Sequence, residues 1–173
     1  MKLKVYKYKK IKSTNDVALK KIKLGIDQGV IITEKQSKGR GRHGNKWISM
    51  KGNLLISIFF KIKNNIPLNN LTFKNCQLVK KSIQNLTKYK IQIKKPNDLL
   101  INKNKICGIL QEITFFNKKK FLIVGIGLNL EKSPNIKNYQ TNHLKSYTNN
   151  KINKLSIFKK IKKIYEKEIK YFK

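Results

Sequence analysis

The sequence predicts an α+β domain with a mixed, mostly antiparallel sheet and helices packed against it. Short apolar runs follow one another with connectors too brief to hold crossover helices. Two segments instead repeat their apolar residues at helical spacing. The length of 173 residues suits one core, and no internal repeat or linker divides it. Residues 1–173 are therefore expected to form a single domain.

A strand is predicted at Leu3–Val5–Tyr6–Tyr8, and the capping types Ser13–Thr14–Asn15–Asp16 then open a first helix ending near Gly25. GVIITEKQ reads as a strand. SKGRGRHGNKW is too glycine-rich and polar to continue it and is expected to be a long mobile loop. NLLISIFFKI is an apolar strand, and Leu71, Val79, Ile83 and Leu86 mark a helix within Leu68–Leu86. YKIQIKK, LLINKNK, ICGILQEITFF and KKFLIVGIGLNL read as successive strands, with Pro96–Asn97–Asp98 as a turn. After a polar stretch from Glu131 to Lys151, Leu155, Phe158, Ile161, Tyr165, Ile169 and Phe172 share one face of a final amphipathic helix.

A formal charge of +33 would by itself suggest a nucleic-acid or anionic-surface binder. Lysine supplies nearly all of it and is scattered, beside abundant Asn and Ile, which is what A- and T-rich codons produce. Arginine, the better residue for planar anion recognition, occurs only at Arg40 and Arg42. No apolar run approaches the roughly 18 residues of a membrane span. The basic start lacks the apolar stretch and cleavage site of a secretory signal, so a cytoplasmic protein is expected. Cys76 and Cys107 are too few for a disulfide framework or a zinc site and are expected to be buried thiols.

Three segments carry chemistry. GRGRHGNKW (39–47) combines glycines, which let backbone N–H groups approach a ligand, with two arginines, and suits a phosphate or acyl phosphate. Taken alone, a flexible basic loop is the plainer reading. KKPNDLLINKNKICGILQE (94–112) places acceptors at a turn and Lys105 at a strand start, where regular alternation puts Lys105, Cys107 and Ile109 on one face. In isolation, a snorkelling edge lysine fits this position equally well. In VGIGLNL (124–130), glycines interrupt a strand as close approach by a ligand or backbone requires, and Asn129 offers a donor and an acceptor. A simple bulge would look the same.

These segments, with Ser13–Thr14–Asn15 before them, resemble the biotin–protein ligase family in identity, order and spacing. The resemblance implies the catalytic-domain fold of the biotin and lipoate ligases, similar to class II aminoacyl-tRNA synthetases. It also implies ATP and biotin as substrates, with Mg²⁺, formation of biotinyl-5'-AMP, and transfer of biotin to a lysine of a biotin carboxyl carrier protein such as the acetyl-CoA carboxylase subunit. By the same carry-over, Lys105 and Arg42 are catalytic. Biotin would be held by Ser13, Thr14, Asn15, Gln36, Gly39, Arg40, Gly41, Arg42, Lys105 and Gly108. The adenylate would meet Arg40, Arg42, Trp47, Lys94, Asn97, Asp98 and Asn129. No metal ligands are assigned, and neither specific DNA nor a membrane is an expected partner. Lys95 stands where the family commonly has tryptophan, His43 where a third loop arginine is usual, and Asn45 where a basic residue is frequent. The family's amino-terminal helix-turn-helix and small carboxyl-terminal β-barrel are not expected here. The alternatives are a lipoate or octanoate ligase or transferase, and a noncatalytic nucleic-acid-binding protein.

Overall fold

A computed structural model describes residues 2–63 and 68–172. Among them, β1 (Val5–Ile11), β2 (Gln28–Gln36), β3 (Leu54–Ile62), β4 (Gln92–Lys94), β5 (Asp98–Ile101), β6 (Asn104–Phe116) and β7 (Lys119–Leu128) form one sheet in the order β1-β2-β3-β7-β6-β5-β4. Only β1 and β2 pair in parallel, through the crossover helix α1 (Thr14–Lys23). The sheet is therefore mixed and mostly antiparallel. The lysines of edge strand β1, Lys7, Lys9 and Lys10, line its sequence, and charge on an edge discourages pairing with another chain.

Strand alternation gives the sheet two different faces. Leu54, Ile56, Ile58 and Phe60 of β3, with Leu122, Val124, Ile126 and Leu128 of β7, build the larger core under α2 (Leu68–Ile83) and α3 (Lys154–Glu168). Phe59, Ile31, Phe121 and Ile123 face the other way and pack on Ala18 and Ile22 of α1. The interior strand β3 is buried on both faces from Leu54 to Phe60, which is why its sequence there is apolar at every position but Ser57. In the larger core the Tyr165 hydroxyl donates to Asn75 Oδ1 at 2.8 Å, and Phe172 meets Phe60 edge-on at 5.2 Å.

Two expectations need correction here. Leu155 is 51% exposed, and Ile157 is buried in its stead. Both flank the Phe158–Ile161–Tyr165 stripe, and only the Ile157 edge is covered. The second concerns Lys105. The register slips between Leu99, opposite Cys107, and Leu100, opposite Lys105, leaving Ile106 as an extra residue in β6. This bulge resets the alternation. Cys107 and Ile109 go to the larger core, whereas Lys105 turns to the α1 side and lies beside Gly108.

The polar stretch after β7 is fixed by buried Asn53, whose Oδ1 accepts the N–H groups of Leu130, Glu131 and Lys132 at 3.1–3.3 Å. The chain then returns across the start of β6. Lys105 N–H donates to Gln140 O at 3.0 Å, and Asn142 N–H to Lys105 O at 2.9 Å.

Candidate active site

The first turn of α1 meets the middle of the sheet at Ser57, which faces α1 because it alternates with Ile56 and Ile58. Ser13, Thr14 and Asn15 are all buried there. Thr14 donates from its N–H and its hydroxyl to Gln36 Oε1, at 2.8 and 2.9 Å. Ser57 Oγ lies 2.7 Å from Thr14 Oγ1 and against Asn15 Oδ1, and its single proton serves one of them at a time. Buried polar atoms are costly unless paired, so this mutual bonding fixes a polar floor on an otherwise apolar sheet.

Over that floor lies the 37–47 loop, expected to be mobile, which the structure folds into a small hairpin. Trp47 N–H donates to Gly39 O at 3.0 Å, Gly41 N–H to Asn45 O at 2.7 Å, and a single turn spans Arg42–Gly44. Two contacts outside the loop hold it. The Trp47 indole lies against the backbone of β6 and β7: a Cβ on Gly108 would come within 2.8 Å of its ring, and one on Gly127 would overlap it. The strand glycines thus admit a side chain from the loop. Arg40 pairs with two carboxylates, Asp16 and Glu112. Neither contact is visible in the loop's own composition.

The third wall centres on Lys105. Its ammonium stands 2.9 Å from Asp98 Oδ1, with both side chains mostly buried, and compensates that oxygen by charge rather than by an aligned hydrogen bond. The Tyr139 hydroxyl donates to Asp98 Oδ2 at 2.7 Å. Burial, reinforced by this bond and by the carboxylate's charge, raises the Tyr139 pKa well above the ordinary phenol value, so Tyr139 acts as a donor. The rings of Tyr139 and Trp47 lie 5.4 and 5.6 Å from Lys105 Nζ, within cation–π range. Asn97 is fixed at the turn, donating from Nδ2 to Ile109 O at 2.8 Å.

Together these walls enclose a cavity of about 250 Å³ lined by Ser13, Thr14, Asn15, Gln36, Arg40, Gly41, Arg42, Trp47, Asn97, Asp98, Lys105 and Gly108. Gly39 sits buried at the base of the hairpin. Two expected residues lie elsewhere. Lys94 is exposed, with its ammonium 4.5 Å from the Tyr139 ring. Asn129 is buried behind the cavity, accepting from Asn53 and donating to Asn142 O, each at 3.2 Å. Sequence reasoning missed Asp16, Ser57, Glu112 and Tyr139. Glu112 was detectable, since Gly108, Leu110 and Glu112 share one face by alternation. Tyr139, in an irregular segment, left no periodic signal.

Burial pushes the Cys76 thiol up to about 12 and Cys107 well above its usual value, so both buried cysteines are inert packing residues. Among the described residues no helix is long and apolar enough to cross a membrane, and no group of three or more His, Cys, Asp or Glu could hold a metal.

Residues 8–129 match the model of the biotin/lipoate A/B protein ligase family, and the chain belongs to that family. It is 34% identical over 111 residues to the bifunctional ligase/repressor BirA of Bacillus subtilis, covering 61% of this chain and 34% of that protein. It is 31% identical over 128 residues to the chloroplastic biotin–protein ligase 1 of Arabidopsis thaliana, covering 70% and 35%. The chain thus spans about a third of the length of these relatives. Among solved structures, the biotin protein ligase of Aquifex aeolicus in complex with biotin and ATP superposes with a TM-score of 0.82 at 26% identity, covering 98% of this chain and 72% of that one. The α+β architecture expected from sequence is the architecture of that catalytic domain.

Proposed function

We propose that this chain is an ATP-dependent biotin–protein ligase that forms biotinyl-5'-AMP and passes biotin to a lysine of a biotin carboxyl carrier protein. The observation that carries the proposal is the meeting, in one cavity, of a hydrogen-bonding floor from Ser13, Thr14, Asn15 and Gln36 with the Lys105 ammonium and the Arg42 loop. The floor suits biotin's ureido group, whereas a lipoyl or octanoyl chain calls for an apolar lining.

A carboxylate is a poor acyl donor because its leaving group would be an oxide. In the proposed reaction biotin's carboxylate oxygen bonds to the α-phosphorus of ATP and pyrophosphate leaves. The carrier's lysine amine then attacks the acyl carbon, the carbonyl–phosphate bond breaks, and AMP departs. Lys105, held by Asp98, and Arg42 would stabilise the gathering anionic oxygens. Trp47 and the hairpin would keep water from the mixed anhydride. The Trp47 indole N–H is buried without an acceptor among the described residues, a polar atom that a bound ligand could satisfy. The donor set fits Mg²⁺ carried on the nucleotide's phosphates rather than in a protein cage, since no group of three or more His, Cys, Asp or Glu among the described residues could hold the ion. The ion would supply charge neutralisation.

The test is to incubate the chain with biotin, ATP, Mg²⁺ and a carrier domain and to weigh the carrier. A gain of one biotinyl group on a lysine is expected. Modification with lipoate but not biotin would move the assignment to the lipoate branch. Retention by polyanions that falls steeply with salt, with no acylation, would make the charge the function.

A further inference from the structure

We infer that Glu112 is a positioning residue that joins closure of the 37–47 loop to the arrangement of the cavity floor, with Asp16 sharing the task and Arg40 as the latch between them. Glu112 reaches two elements at once. Its oxygens lie 2.8 and 3.0 Å from Arg40 Nη2 in the loop, and Oε2 also accepts from Asn15 Nδ2 in the floor at 2.6 Å. Asp16, one residue after Asn15, takes the other arm of the guanidinium at Nη1.

This arrangement is not scattered charge. The chain has 8 acidic residues against 41 basic ones, and two of those acids converge on one of the two arginines. They come from different elements, α1 and β6, so the guanidinium ties the loop to both. With Nδ2 committed to Glu112, the Asn15 carboxamide has its Oδ1 turned to Ser57. An anion approaching Arg40 must displace two carboxylates, whereas Arg42 has no ion pair among the described residues. Arg40 therefore acts on the loop, and Arg42 is the loop arginine left for phosphate. The assignment to Arg42 rests on the proposed function; the latch does not.

The latch is read by limited trypsin digestion of the whole chain with no ligand added, following cleavage after Lys38, Arg42 and Lys46. Glu112→Gln and Asp16→Asn should each speed cleavage about fivefold, the scale of a partly exposed charge pair, and Arg40→Gln, which loses both pairs, should speed it more than either. Adding Glu112→Gln to Arg40→Gln should change nothing further, because the Arg40–Glu112 pair is already lost in the Arg40 variant. Unchanged cleavage in the single variants, or fully additive effects in the double, would overturn the latch. The link to the floor is read in steady-state kinetics with biotin. Glu112→Ala should raise KM for biotin several-fold, while Glu112→Gln, which keeps an acceptor for Asn15, should leave it near the parent value. Equal KM values in both, or a lower kcat with unchanged KM as a lost folded fraction gives, would remove Glu112 from the floor. Failure of the parent chain to acylate would sink the ligase reading alone, since digestion decides the latch by itself.

Discussion

The Lys105 ammonium stands 2.9 Å from Asp98 Oδ1, and both side chains are largely withdrawn from solvent. Lys105→Ala should cut adenylate formation by about a hundredfold or more, the scale of losing a preorganised charge partner. It should also destabilise the fold by about 1–3 kcal/mol, because Asp98 is left buried and uncompensated. Lys105→Ala combined with Asp98→Asn separates the effects: chemical denaturation should show stability recovered, while pyrophosphate release stays low. Near-normal release from folded Lys105→Ala would take this lysine out of the reaction.

Gly127→Ala puts a methyl group where the Trp47 indole lies. Trp47 is the chain's only tryptophan, so its emission reports the site alone. The variant should shift that emission to longer wavelength as the ring moves into water, and should speed tryptic cleavage within the loop. An unchanged spectrum would mean the ring is not anchored on β7.

Arg42→Ala should weaken retention of biotinyl-5'-AMP much more than binding of biotin, since the guanidinium is expected to meet the phosphate. Calorimetry with the two ligands makes the comparison. Equal losses would deny the loop a role in holding phosphate.

Glu166 titrates below the usual carboxylate value. Burial alone would raise it, but the Lys162 ammonium and the Leu3 N–H, donating at 2.7 Å, outweigh burial. A depressed folded-state pKa gives stability that is present at neutral pH and is lost as pH falls below the ordinary 4.5. Glu166→Gln should therefore be less stable than the parent at pH 7, with the gap narrowing on acidification. A gap independent of pH in thermal melts would show that the charge is irrelevant.

Much of this was legible in the residues. The apolar run of β3, the capping types before α1 and the stripe of α3 each have a local cause, and the structure places those elements where periodicity does. The floor residues Ser13, Thr14, Asn15 and Gln36 were equally visible as a motif. What escaped depends on partners distant in sequence. Alternation gave Lys105 the wrong face because Ile106 is an extra residue that only the pairing with β5 exposes. The loop read as mobile because its anchors, Asp16, Glu112 and the strand glycines, belong to other segments. Asn129 resembled a ligand-reading side chain, yet Asn53, 76 positions earlier, occupies it.

That same Asn53 sets where the molecule can first come apart. Its carboxamide serves backbone N–H groups 77 to 79 positions away, and the stretch returning from there carries the carbonyl that receives Lys105 N–H. Such contacts open at lower cost than the sheet core, since they bind an irregular strip rather than packed strands. Mild denaturant or heat should therefore release the 131–151 strip first, seen as early amide exchange there, and catalytic competence should disappear while the sheet is still intact.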